Sequence, residues 1–328
     1  MSKALISLKN INVQYTITKG NLLNKTSFQL KAVNDIDLDI FEGETLGLVG
    51  ESGCGKSTLG KTILQLEANA KGSVYFDGEN ISILTDRQLR EKRKNFQMIF
   101  QDPASSLNPR MTIGSIIGEP LSTFKLFKGK ELKEKVIELM EKVGLRSSFI
   151  RRYPHEFSGG QQQRIGIARA IALNPKFIVA DEPISALDVS IQAQIINLLM
   201  DLQKELDLTY LFISHDLSAV KHISDRIAVM YLGKIVELAD YKNIYDNPLH
   251  PYTEALISAI PIPDPALEKK RELILLNGEI PSPLNIPSGC SFHNRCPKKF
   301  DLCKTKTPEL IKISNGHSVA CHLHDKET

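Results

Sequence analysis

GETLGLVGESGCGKSTLGKTILQLE, residues 43–67, decides the fold. Gly50, four residues, then Gly55-Lys56-Ser57 has the spacing of a P-loop. The apolar run GETLGLVG before it reads as a buried strand ending at Gly50, and KSTLGKTILQLE after it carries Leu59, Ile63 and Leu66 at helical spacing. Strand, glycine loop and helix is the context that makes such a loop an anion cradle. Its glycines let successive N–H groups converge, and the helix N-terminus adds partial positive charge. Gly50, Glu51, Ser52, Gly53, Cys54, Gly55, Lys56, Ser57 and Thr58 are therefore the expected nucleotide-binding residues. Lys56 is assigned to the β- and γ-phosphates and Ser57 to Mg²⁺. Cys54 reads as a small residue at a variable loop position.

A second apolar run, FIVADEP, ends in Asp181-Glu182. Carboxylates at the C-terminal end of a parallel strand sit where open α/β sheets bind ligands. Asp181 is the expected holder of Mg²⁺, directly or through water, and Glu182 the expected general base. TYLFISHD reads as another buried strand, which delivers His215 to the same edge, within reach of a γ-phosphate. FSGGQQQRIGIARAIAL places turn glycines before a helix with Ile165, Ala168, Ile171 and Ala172 on one face. Ser158 and the N–H groups of Gly159 and Gly160 at that helix start form a second anion site. One γ-phosphate seldom needs two such sites in one chain.

Together these segments resemble the nucleotide-binding subunit of an ABC transporter. Phe157-Ser158-Gly159-Gly160-Gln161 is similar to the family's LSGGQ signature, with Phe for Leu at an apolar anchor. The resemblance makes Gln101 in IFQDP the Q-loop residue, Asp188 in SALD the D-loop residue, His215 the switch histidine and Tyr15 the aromatic that stacks on adenine. It implies two nucleotides sandwiched between two subunits, the signature of one covering the P-loop of the other. Catalysis then falls to Glu182, His215 and Lys56. Ser57, Gln101 and Asp181 complete the Mg²⁺ shell. The expected fold class is α/β: a P-loop NTPase core with an antiparallel β subdomain, an inserted helical subdomain at about 102–172 and a small irregular C-terminal metal-binding appendage.

The 328 residues suffice for such a domain plus an appendage, and 42% hydrophobic with 24% charged residues is ordinary for a globular chain. A net charge of +3 is too small to argue for nucleic acid or anionic lipid. No apolar run approaches the ~20 residues of a membrane span, and the N-terminus lacks the apolar region of a signal peptide. The expected location is the cytoplasmic face of a membrane whose pore belongs to other chains. Residues 4 to about 79 read as strands around the P-loop, 87–95 as a charged helix, and 112 to about 157 as mostly helical. In KELKEKVIELMEKVG, Leu132, Val136, Leu139 and Val143 share a face. A helix follows Asp188, and DRIAVMYLGKIVEL reads as a hairpin around Gly233. The nucleotide-binding domain is bounded at 1–245. Ten of the sixteen prolines lie at Pro248 or beyond, so 246–328 reads as an extended, turn-rich tail.

That tail holds Cys290, Cys296, Cys303 and Cys321 at spacing C-x5-C-x6-C-x17-C. In a cytosolic chain, clustered cysteines favour metal over disulfides. Four thiolates can close a zinc site or a 4Fe-4S cluster, and the wide spacing suits the larger cubane better. His293, His317, His322 and His324 leave a mixed zinc site open. PLHPYTEALISAIP, GEIPSP and the cysteine stretches resemble the ATP-binding subunits of dipeptide and oligopeptide permeases. That resemblance implies a 4Fe-4S cluster on the tail and a second, non-identical ATP-binding subunit. It also implies two transmembrane permease subunits and, indirectly, an extracytoplasmic substrate-binding protein delivering peptide. Nickel- and glutathione-type importers share much of the pattern. ABC ATPases outside transport are a further alternative, disfavoured by one P-loop, one signature and no sustained heptads.

Overall fold

The computed structural model describes residues 3–19, 26–261, 264, 268, 273–314 and 316–325. In chain order these form β1 (Ala4–Lys19), β2 (Thr26–Phe41), β3 (Thr45–Val49), α1 (Lys56–Ile63), β4 (Ala70–Phe76), β5 (Glu79–Asn80), α2 (Asp86–Lys92) and β6 (Phe96–Ile99). Next come α3 (Pro103–Ser106), α4 (Ile113–Thr123), α5 (Gly129–Lys142), α6 (Gly159–Ile171), β7 (Phe177–Asp181), α7 (Val189–Leu206) and β8 (Thr209–Ile213). The last are α8 (Leu217–Ile223), β9 (Arg226–Tyr231), β10 (Lys234–Asp240), α9 (Tyr241–Asp246), α10 (Pro251–Ser258), α11 (Leu302–Thr305), β11 (Ile311–Ser314) and β12 (His317–Val319). Contacts divide the chain into two units.

One unit contains Phe41–Thr45 and Ile83–Ser214. Its strands β6, β7 and β8 are parallel, with Phe96 opposite Phe177 and Phe177 opposite Thr209. Phe177, Ile178, Val179 and Ala180 are all fully buried, which is why this run shows no polar alternation. Between β6 and β7 lie the helices of the inserted segment. Thr112 caps α4 by accepting from the Ser115 N–H, and α4 packs on α5 and α6. In α5 the expected apolar face is buried at Val136 and Leu139, with Met140 beside them. Helix α7 follows Asp188 as expected and buries Ile195, Ile196, Leu199 and Leu202.

The other unit contains Ala4–Ile40, Leu46–Ser82 and His215–Thr328. Strands β2, β1, β4 and β5 form an antiparallel sheet in that order. Leu46–Val49 of β3 run parallel to β9, and the β9–β10 hairpin turns at Leu232 and Gly233, both in the left-handed region. Helix α1 ends at Ile63, so Leu66 falls outside it and is half exposed.

The tail differs from the irregular appendage expected of it. Its segments β11 and β12 pair with each other, and β12 pairs with β10, Glu237 lying opposite Val319. The Ala320 N–H extends this ladder to the Val236 carbonyl at 2.8 Å. The edge of β10 offers unpaired backbone groups, and a three-residue strand that carries His317 toward Glu237 satisfies them. Proline density marked the turns of this region, not its pairing.

Candidate nucleotide site

The P-loop is built as the sequence requires. Gly50 has φ 151° and Gly55 φ 108°, and a Cβ would lie 2.1 Å from the Met230 carbonyl oxygen at the first and 2.1 Å from the Ala32 oxygen at the second. Backbone from neighbouring strands thus closes on the loop at both glycines, and a larger residue cannot enter without moving it. Gly55 is also the N-cap of α1, with no side chain capping the first turn, so the helix-start donors remain main-chain N–H groups. Lys56 is buried; its Nζ donates to the Gly50 carbonyl at 2.7 Å and to the Glu51 carbonyl at 3.1 Å. Ser57 and Thr58 are the next residues of α1. Cys54 Sγ is 3.9 Å from Lys56 Nζ, and burial holds its thiol up despite that ammonium.

The structure places Tyr15 beside this helix. Its hydroxyl donates to Glu67 Oε2 at 2.5 Å; burial first, then that carboxylate, raises its pKa, while a hydrogen bond with Thr58 opposes the rise.

In the other unit, Asp181 is buried at the end of β7, in register with Ile213 of β8. Glu182 turns the chain with φ 46°, its N–H donating to the Ile213 carbonyl at 2.9 Å. Gln101, eighty-one residues away in sequence, donates from Nε2 to Glu182 Oε2 at 3.0 Å, so the expected Q-loop residue and the expected base meet directly. Chain continuity places the exposed His215 two residues past Ile213; the following Asp216 caps α8 through the Ser218 and Ala219 N–H groups.

The signature is a capping box. Ser158 Oγ accepts from the Gln161 N–H at 3.4 Å, and Gln161 Oε1 accepts from the Ser158 N–H at 3.1 Å. A Cβ on Gly160 would lie 2.5 Å from Ile191 Cγ2, whereas one on Gly159 would lie at ordinary contact distance, 3.4 Å, from Leu187. Phe157 is buried edge-on against Phe149 with centroids 5.6 Å apart, the apolar anchoring expected of the Leu position it replaces. Asp188 is the exposed N-cap residue of α7, followed by Val189, which is 81% exposed.

The metal expectation for the tail is corrected in part. All five cysteines are free thiols. Among the described residues no group of three or more His, Cys, Asp or Glu side chains is arranged to hold a metal ion, so the arrangement supports neither the expected 4Fe-4S cluster nor the zinc alternative. Two of the histidines left open as ligands are engaged elsewhere: His317 Nε2 meets Glu237 Oε1 at 2.7 Å, and His322 Nδ1 meets Asp325 Oδ2 at 2.7 Å. The four thiols nonetheless lie within electrostatic reach of one another. Burial, and then neighbouring thiols, push Cys290 up to about 11 and Cys321 up to about 12, and burial likewise raises Cys296. Cys290 N–H donates to the Cys303 carbonyl at 2.9 Å.

Two residues invisible to motif reading join the P-loop. Tyr252 and Arg295 both bind Glu51, across 201 and 244 positions of sequence. Tyr252 lies in the PLHPYTEALISAIP stretch and Arg295 in the cysteine stretch, but neither stretch shows that its residue reaches the P-loop, and only the fold brings them there.

The ABC transporter family profile matches residues 33–185, and the oligopeptide/dipeptide transporter C-terminal region matches residues 236–303. The oligopeptide transport ATP-binding protein AppF of Bacillus subtilis is 54% identical over 98% of each chain. This chain belongs to the ABC transporter ATP-binding subunits of the dipeptide/oligopeptide permease family. OppF of Escherichia coli, an oligopeptide transport ATP-binding protein, is 53% identical over 97% of this chain and 96% of that one. Among solved structures, the ATP-binding cassette MJ0796, a dimer in a post-hydrolysis state with ADP and Pi, matches at TM-score 0.63 and 31% identity over 72% of this chain and 98% of that one. The chain is thus an ABC ATPase. None of its described helices is long and apolar enough to cross a membrane.

Proposed function

We propose that this ABC ATPase powers the import of di- or oligopeptides as half of a nucleotide-sandwich dimer at the cytoplasmic face of a membrane. The single observation that carries the substrate class is the high identity, along nearly the whole chain and including the tail, to proteins named for oligopeptide transport. The partners are a second, non-identical ATP-binding subunit and two transmembrane permease subunits, served by an extracytoplasmic binding protein.

Lys56 and the N–H groups of the P-loop hold the phosphates, and Tyr15 stacks on the adenine. Ser57, Gln101 and Asp181 would hold Mg²⁺, which when bound neutralises phosphate charge. Glu182 takes a proton from the attacking water, oriented by the Gln101 amide that contacts it. His215 supports the γ-phosphate. Ser158, Gly159, Gly160 and Gln161 cover the partner's nucleotide, with Asp188 at the same interface. Contributions of this kind are positioning and charge stabilisation. Glu182→Gln in the assembled complex is expected to retain ATP while turnover falls about 10²–10⁴-fold, the usual contribution of a general base. Wild-type turnover would refute the assignment. Identification of peptide bound to the co-purified binding protein tests the substrate; nickel or glutathione there would overturn it.

For the tail, a 4Fe-4S cluster on Cys290, Cys296, Cys303 and Cys321 rests on the resemblance of the cysteine stretches to the permease family and on their spacing alone. Its test is the visible spectrum and metal content of anaerobically purified protein; stoichiometric zinc or no metal refutes it.

A further inference from the structure

Glu51, directly after Gly50, is held at every polar group it has. Its N–H donates to the Tyr252 hydroxyl at 2.9 Å. Its carbonyl accepts from Lys56 Nζ at 3.1 Å and from the Cys54 N–H at 3.3 Å. Its carboxylate accepts two hydrogen bonds from Arg295, 2.7 and 3.0 Å long. Lys56 and Cys54 belong to the loop itself, whereas Tyr252 and Arg295 come from beyond residue 245.

These two residues are set in a rigid surround. Tyr252 is fully buried among Tyr231 and Phe292, at ring-centroid distances of 4.8 and 5.4 Å. The Arg295 side chain is 8% exposed, with the Tyr231 hydroxyl beside its guanidinium. A buried guanidinium is costly unless it is paired, and the carboxylate it meets is Glu51. A cavity of about 210 Å³ with Glu51 and Gly53 on one wall has Ile280 and Pro281 of the tail on another.

The chemistry explains the arrangement. A carboxylate inside an anion-binding loop repels the anion, unless a cation cancels it. A bidentate arginine does so while also fixing the residue's orientation, which a lysine does less well. Loop N–H groups bind phosphate best when already aimed.

We propose that Arg295 is a positioning residue of the nucleotide site, through which the C-terminal tail fixes the P-loop at Glu51 and cancels that residue's charge beside the phosphates. The inference rests on the P-loop being the ATP site. It adds that ATP affinity depends on a tail remote in sequence from every ABC motif.

The test is equilibrium binding of a fluorescent ATP analogue with Mg²⁺ to the full chain, together with ATPase kinetics of the assembled complex. Arg295→Met is expected to weaken binding about tenfold or more, the loss of a charge-assisted pair. Turnover at saturating ATP should stay within about twofold, because a positioning residue acts on ground-state binding. Arg295→Lys should restore part of the affinity. Adding Glu51→Gln to Arg295→Met should restore most of it by removing the uncompensated charge. A merely structural role would lower the melting temperature and leave affinity unchanged in the folded protein. Binding by folded Arg295→Met within about twofold of wild type overturns the proposal. Should that variant not fold, amide exchange in Glu51→Gln decides: the Cys54 amide, which donates to the residue-51 carbonyl, should lose protection by about tenfold, and unchanged protection overturns the proposal. Wild-type protein that binds no nucleotide, or Lys56→Ala that binds it fully, would instead defeat the assignment of the ATP site itself.

Discussion

Replacing His250 with asparagine isolates one proton on which the docking of the tail depends. His250 is 1% exposed and caps α10, its Nδ1 accepting from the Tyr252 N–H at 3.0 Å. Burial pushes the imidazole down to about 4; the Glu237 carboxylate opposes the shift and His324 adds to it. The unfolded chain has the ordinary value near 6.5. The folded state therefore prefers the neutral ring. Its contribution is complete above about pH 6.5 and is lost as pH falls from there toward 4. A gap of about 2.5 pH units at 1.36 kcal/mol each sets a ceiling of about 3.4 kcal/mol, of which about 2 kcal/mol is gone at pH 5. Asparagine keeps the cap, because its side-chain oxygen can accept from the same N–H, but it cannot take the proton. Urea unfolding should then show the wild-type and His250→Asn stabilities converging by about 2 kcal/mol between pH 7.5 and pH 5. The chain has eight histidines and no tryptophan, so circular dichroism follows unfolding and imidazole carbon NMR follows titration. The one resonance absent from the variant is His250, and it should still report a neutral ring at pH 5. A resonance that titrates near 6.5, or a stability difference independent of pH, would refute the reasoning.

Gly160→Ala should cost about 1–3 kcal/mol, because its methyl enters the space of Ile191, and Ile191→Ala in the same protein should recover most of the melting temperature. A single variant as stable as wild type would show that the signature glycine is not held by packing. Glu237 is wholly buried, and accepts from the Leu249 and His250 N–H groups at 2.7 and 2.9 Å as well as from His317. Burial works to raise its pKa, but hydrogen bonds led by that of His317 outweigh it and hold the carboxyl below the usual range. Glu237→Ala should therefore destabilise the chain by about 3–5 kcal/mol in denaturant titration and expose the tail to limited proteolysis. An intact, protease-resistant tail in that variant would mean that other contacts hold it.

The P-loop was legible because its logic is local. The strand before Gly50, the glycines themselves and the helix from Lys56 follow from neighbours within a few residues. The buried runs at Phe177 and Thr209 were legible for the same reason, since a strand covered on both faces is apolar throughout. The meeting of Gln101 with Glu182 was not, although each was assigned by resemblance, because it depends on β6 and β7 being parallel neighbours. The hairpin β11–β12 escaped because IKIS and HSV are too short to carry a periodic signal, and the edge of β10 selects them as strands.

By itself the sequence determined the phosphate cradle, the carboxylates at the strand end, the signature and the family. Each is a short pattern whose chemistry is complete within one turn or strand end. The tertiary structure alone decided that the tail belongs with the P-loop, that Arg295 faces Glu51 and that His250 stays neutral. Those facts depend on burial and on encounters across as many as 244 residues, which no local pattern encodes.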